Sequence, residues 1–102
     1  MSNNEIIADI KENFERFNTH KNEEVKPVLN TIIRLISRLN VTDKKDNLHL
    51  LKISSDLKSA GENEAQFFRL NNPENKLIQY SESFYKSINI LKDELFKILN
   101  KL

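Results

Sequence analysis

Residues 28–39 read VLNTIIRLISRL, and this stretch decides the fold class. Its apolar side chains recur three and four positions apart, the spacing that places them on one face of an α-helix. They are Val28, Leu29, Ile32, Ile33, Leu35, Ile36 and Leu39. A face this wide needs two neighbouring elements to cover it, so we expect the most buried helix here. Pro27 lacks a backbone donor and is tolerated in a first turn, which predicts a start between Asn22 and Lys26.

The N-terminal segment carries the signals of another helix. Ser2 followed three residues later by Glu5 is a capping-box pattern, which predicts a first helix from about Asn3 to Asn18. An apolar stripe at three- and four-residue spacing gives this helix one inward side. The stripe consists of Ile7, Ile10, Phe14 and Phe17. We therefore expect an amphipathic helix with one buried face.

A third and a fourth helix are predicted downstream. Thr42 or Asp43 caps the third helix, whose inward residues we expect to be Leu50, Ile53, Leu57 and Ala60, flanked by Leu48 and Leu51. Gly61 either breaks this helix or lies within a helix that continues to Leu70. The segment NNPEN at residues 71–75 then favours the start of a long helix that runs to the C-terminus.

Together these patterns predict an all-α fold. One glycine and two prolines in 102 residues leave little material for hairpins. Four helices with short connections pack most simply as an antiparallel up-down helical bundle of four main helices. A chain of this length forms one domain, so residues 1–102 are expected to share a single core that is too small for a large substrate cavity.

The residue inventory disfavours an enzyme and a metal site. There is no cysteine, which excludes disulfides and thiolate chemistry. His20 and His49 lie on different predicted elements without a zinc-ligand spacing. No phosphate-binding loop, nucleophile motif or paired-histidine helix is present in the sequence. We therefore expect a non-enzyme with no cofactor, no metal and no small-molecule substrate.

The N-terminal sequence bears on the cellular location of the protein, and the charge distribution bears on its class of partner. The start of the chain lacks the pattern of a signal peptide, and no stretch has the length of a membrane span, so we expect a soluble, cytoplasmic protein. Residues 25–60 carry seven Lys and Arg against three Asp and Glu, a net charge of +4. This density is lower than in most DNA-binding domains, and a nucleic-acid-associated dimer is therefore only a third alternative.

Two pairs of adjacent aromatic residues are candidates for partner binding. Phe67 and Phe68, with Arg69 beside them, form the first pair, and Phe84 and Tyr85 form the second. Adjacent helical residues point about 100° apart, so each pair either wraps a broad core or leaves one ring on the surface. Aromatic side chains and arginine dominate binding hot spots, which makes these five residues the predicted partner-binding set.

The segment HLLKISS at residues 49–55 resembles the core of histidine phosphotransfer domains, which are four-helix bundles of similar size. The resemblance implies that His49 accepts a phosphoryl group from a receiver aspartate and that Lys52, one turn away, helps to neutralise it. Ile53 departs from the family, which has glycine after the lysine. A branched side chain there either obstructs a docking receiver or points inward and turns His49 away, in which case the segment is simply the apolar seam of the third helix.

These observations favour a small helical bundle that acts by protein–protein binding, of the immunity, inhibitor, adaptor or chaperone type. Its partner is expected to be another protein or a second copy of this chain. The alternative is a phosphotransfer-like relay that uses His49.

Overall fold

The computed structural model describes residues 2–19, 25–71 and 82–102, with side chains described within 2–16, 27–64 and 83–102. Within these residues the chain forms four α-helices and no strand. The helices are α1 (Asn3–Thr19), α2 (Val25–Ser37), α3 (Lys44–Asn71) and α4 (Glu82–Leu99). The all-α prediction is therefore confirmed for the described part of the chain.

Side chains just outside the helices satisfy the first backbone donors of α1 and α3. The N–H of Glu5 donates to the hydroxyl of Ser2 at 3.3 Å. The carboxylate of Asp43 accepts the N–H groups of Lys45 at 2.8 Å and Asp46 at 3.2 Å. Because these N–H groups have no partner within their own helix, the two caps fix where α1 and α3 begin. Of the two predicted caps for α3, the structure selects Asp43.

The core is formed by apolar side chains from all four helices. Those that are buried are Ile6, Ile10, Phe14, Val28, Leu29, Ile32, Leu35, Ile36, Leu50, Ile53, Leu57, Phe84, Ile88, Leu95, Ile98 and Leu99. On α1, Ile6 is buried and Ile7 is only partly buried, so the expected stripe is displaced by one residue at its start. The side chain of Phe17 lies outside the described residues.

Gly61 is an internal residue of α3. The helix continues through it to Asn71, so the break considered at this position is not present. A Cβ atom built on Gly61 would lie 2.9 Å from Cδ1 of Leu29, closer than a side chain tolerates. Glycine is a poor helix former, and its occurrence here is explained by the close approach of α3 to α2.

Contacts link the helices around the bundle: α1 packs on α2, α2 on α3, and α3 on α4. The amide of Asn3 donates to the carbonyl of Asn40 at 2.9 Å and accepts its N–H at 2.9 Å. The rings of Phe14 and Phe96 meet edge to face at 5.8 Å, which joins α1 to α4. The antiparallel up-down arrangement stays a prediction at this point.

The C-terminal helix is described from Glu82 onward. The start predicted for this helix, at residues 71–75, falls mostly within residues 72–81. Those residues lie outside the described part of the chain. Among the described helices α3 is the longest, with 28 residues against 18 in α4. The C-terminal helix thus has a long neighbour, because α3 packs against α4.

Candidate functional site

An open groove of about 340 Å³ lies between the C-terminal half of α2 and the N-terminal half of α3. Five apolar side chains line it: Ile33, Ile36, Leu39, Leu50 and Leu51. Three polar side chains complete the lining: Ser37, Asn47 and Ser54. Hereafter "the groove" means this set of eight residues. Ser37 and Ser54 are the shortest side chains of this lining, and neither fills the space between α2 and α3.

Leu51 forms one wall of the groove and is 68% exposed. Leu48, one turn earlier on α3, is 67% exposed and extends the apolar surface away from the groove. A single exposed leucine is ordinary, but an exposed leucine that adjoins an apolar groove makes a continuous patch. The sequence assigned both leucines to the flanks of the core, and the structure places them in solvent.

Basic side chains surround this surface. Arg34 follows the groove residue Ile33 on α2, and Arg38 follows the end of that helix; both are exposed. On α3, Lys44 lies one turn before the groove and Lys58 one turn after it, and both are exposed. The groove therefore has an apolar floor and positively charged surroundings.

Within the phosphotransfer segment, His49 lies on the side of α3 that faces α4. Ile53 is 1% exposed and points into the core, as the inward reading of the sequence expected. His49 and Lys52 are exposed, and Nε2 of His49 lies 3.7 Å from a carboxylate oxygen of Glu94 on α4. Ile53 thus leaves the imidazole accessible, but the imidazole shares its surface with a carboxylate.

The predicted aromatic residues are distributed between the core and the undescribed part. The side chains of Phe67, Phe68 and Arg69 lie outside the described residues. Phe84 is 5% exposed and Tyr85 is half-buried, with their rings 5.7 Å apart. Phe84 packs in the core, which suits the alternative in which an aromatic pair wraps a broad core. The use of these five residues in partner binding stays a prediction.

A smaller pocket of about 160 Å³ lies between α1 and α4. Lys11 and Lys92 place their ammonium groups 5.6 and 5.9 Å from the ring centre of Phe96. These are cation–π distances, and they account for both lysines by contacts within the bundle. The volume is below the range of usual ligand pockets, which begins at about 300 Å³.

Metal, membrane and family comparisons add no further site. Across residues 2–19, 25–71 and 82–102, no three His, Cys, Asp or Glu side chains are grouped so that they could hold a metal ion. No helix in that part of the chain has the length and apolar content needed to cross a membrane. Searches against protein-family models, curated proteins and solved structures gave no match.

Proposed function

We propose that this chain is a non-enzymatic, protein-binding helical bundle of the immunity, inhibitor, adaptor or chaperone type, and that its groove receives a helix of a partner protein. The observation that carries the proposal is Leu51, an apolar side chain that is 68% exposed in the wall of an apolar groove. A groove between two helices is a common receptor for an amphipathic helix, which buries its apolar side there.

The shape of the groove favours a protein helix over a small molecule. Small-molecule sites enclose most of the ligand surface. Here one wall is an exposed leucine, and the apolar surface continues to Leu48, outside the groove. A helix laid along the groove would cover both leucines, whereas a compact ligand would leave Leu48 in water. Burying the exposed parts of the two leucines is worth about 1 to 2 kcal/mol each in apolar transfer free energy.

The proposal includes an antiparallel up-down arrangement of the helices. The start of α1 is tied to the α2–α3 connection through Asn3 and Asn40. The start of α3 lies near the end of α4, where Lys101 is 3.7 Å from Asp46. Both contacts support neighbouring helices that run in opposite directions.

The proposed cellular location is the cytoplasm, because a core built without cysteine has no need of an oxidising compartment.

A display selection followed by two matched variants tests the proposed function. Helical peptides are selected from a randomised amphipathic library on the wild-type protein, and their affinities are then measured for Leu51→Gln and Ile90→Gln. Ile90 is a suitable control because it is 54% exposed on α4, away from the groove. We expect Leu51→Gln to weaken binding about tenfold or more and Ile90→Gln to leave it unchanged. Peptides that bind both variants as tightly as wild type would place the binding site elsewhere.

A phosphotransfer role for His49 is the second candidate, favoured by the exposed imidazole. The Glu94 carboxylate weighs against it, because a phosphoryl group on Nε2 would lie beside a negative charge. Incubation with a phosphorylated receiver domain tests this role. Acid-labile phosphate on wild type that is absent from His49→Gln supports the relay, and an unlabelled wild type ends it.

A further inference from the structure

The positive charges around the groove are available to a partner. Arg34, Arg38, Lys44 and Lys58 are all exposed. Within the described residues, none of the four lies within salt-bridge distance of a carboxylate. Lys44 and Lys58 lie on either side of the α3 part of the groove, so the positive charge is present at both of its ends.

The carboxylates nearest to the groove are engaged within the fold. Asp43 accepts two backbone N–H groups at the start of α3. Asp46 lies 3.7 Å from the ammonium group of Lys101. The next carboxylate on the outer side of α3 is Glu62, one turn beyond Lys58. The four exposed basic residues around the groove therefore outnumber the two exposed carboxylates beside them, Asp43 and Glu62, and the surroundings carry a net positive charge.

From this charge distribution we infer that the helix received by the groove has carboxylate side chains on both sides of a short apolar stripe. The inference rests on the proposed function and specifies its partner. Complementary charges around an apolar contact raise the association rate and exclude partners of the wrong sign. A helix with lysines at its ends would meet repulsion at both ends of the groove.

The positions on α3 set the length of this partner helix. Residues 47 to 54 span about 10 Å, and residues 44 to 58 span about 21 Å, at 1.5 Å per residue. The apolar stripe therefore needs about two turns, with residues at i, i+3 or i+4, and i+7. The carboxylates belong in the turns before and after it, which gives a helix of about four turns.

The described helices of a second copy of this chain, in residues 2–19, 25–71 and 82–102, do not present such a helix. The large apolar side chains that are exposed on the described helices are Leu48 and Leu51 on α3 and Ile90 on α4, with Leu102 just after α4. On α1, the described apolar residues Ile6, Ile10 and Phe14 are buried in the core. The partner that we infer is therefore a different protein with an acidic amphipathic helix, and a second copy of this chain is one of the outcomes that the test distinguishes.

Three synthetic helical peptides test the inference. Each has about 16 residues and the same apolar stripe, with Glu, Gln or Lys in the flanking turns. Binding to the isotope-labelled protein is followed by amide chemical shifts. In about 50 mM NaCl we expect the Glu-flanked peptide to bind about tenfold or more tighter than the Lys-flanked peptide and to shift the amides of Ile33, Leu51 and Ser54. The difference should shrink toward unity in about 500 mM NaCl, because exposed charges are screened.

Charge reversal on the protein provides the matched control. Lys58→Glu should reduce the preference for the Glu-flanked peptide severalfold, since it removes one of the flanking positive charges. Lys52→Glu makes the same change on the same helix, at an exposed position that lies on the opposite side of α3 from Ser54. It should leave the preference nearly unchanged. Equal losses in both variants would indicate a nonspecific charge effect and overturn the inference.

The failure of the inference and the failure of the proposed function give different results. If the three peptides bind with equal affinity and shift the groove amides, the acidic partner is wrong and the groove remains a binding site. If no peptide shifts these amides, both proposals fall. If a Glu-rich peptide without the apolar stripe binds as tightly as the Glu-flanked peptide, then charge alone determines the affinity. In that case the proposal of a helix in the groove is wrong. Amide shifts that follow protein concentration without any peptide would identify a second copy as the occupant instead.

Discussion

Replacing Gly61 with alanine changes the free energy of unfolding in two opposite ways: it raises helix propensity, and it adds a methyl group that is too close to Leu29. In a helix interior, alanine stabilises the helix by about 1 kcal/mol relative to glycine. In this structure the added methyl group would lie 2.9 Å from Cδ1 of Leu29, which is 1% exposed and enclosed by the core. Overpacking at a buried site costs about 1 to 3 kcal/mol. We therefore expect Gly61→Ala to lower the free energy of unfolding by about 0 to 2 kcal/mol, the difference between these two effects.

A second substitution separates the two effects. Leu29→Val removes the terminal methyl that is too close and costs about 1 kcal/mol by itself. In that background Gly61→Ala has room, so it should raise the free energy of unfolding by about 1 kcal/mol. The coupling energy between the two positions is then about 1 to 3 kcal/mol. The sign of the Gly61→Ala effect is thus expected to depend on residue 29.

Urea unfolding followed by far-ultraviolet circular dichroism measures all four proteins of this cycle. Ser59→Ala is the matched control, because Ser59 is exposed two residues before Gly61 on α3. Its effect should be the same in both backgrounds within about 0.5 kcal/mol. If Gly61→Ala stabilises the wild type by the full helix-propensity gain, or acts equally in both backgrounds, then close approach to Leu29 is not the reason for glycine at this position.

Three further predictions concern single side chains. Asn3→Ala removes two hydrogen bonds to the α2–α3 connection and should cost about 1 to 2 kcal/mol in the same urea assay, whereas the neighbouring Asn4→Ala should cost less than about 0.5 kcal/mol. Asp43→Ala removes the cap of α3 and should cost about 1 kcal/mol, whereas Thr42→Ala should not; equal costs would contradict the assigned cap. Ser54→Leu fills the groove and should stabilise the fold by about 0.5 to 2 kcal/mol while abolishing binding of the Glu-flanked peptide; a loss of stability would mean that the groove cannot hold the side chain.

The parts of the fold that depend on local chemistry could be read from the sequence. Caps act over two or three residues, so Ser2 and the pair at positions 42 and 43 were visible without a structure. The periodicity of α3 likewise identified Ile53 as inward, and it is 1% exposed. Helical spacing alone carries this information, because it fixes which residues share a face.

Which other helix covers each helix face depends on residues that are distant in the sequence. It could therefore not be predicted from local spacing. Ile6 and Ile7 are adjacent and equally apolar, and the position of α2 and α4 decides that Ile6 is the buried one. The burial of Leu51 is likewise decided by a neighbouring helix. Leu51 lies at the edge of the apolar face of α3, and the distance to α2 decides whether that edge is covered. The short side chains at positions 37 and 54 were a signal of that distance, but only once the pairing of α2 with α3 is known.

The seam between α2 and α3 explains why the candidate site lies where it does. At one end Gly61 lets the helices approach until Leu29 fills the remaining space. At the other end Ser37 and Ser54 face the seam, and neither reaches across it. Short side chains at this end leave an opening, since interiors are otherwise packed at crystal density. The close contact at Gly61 therefore secures α3 to the bundle, while the open end keeps Leu51 accessible without requiring the core to loosen.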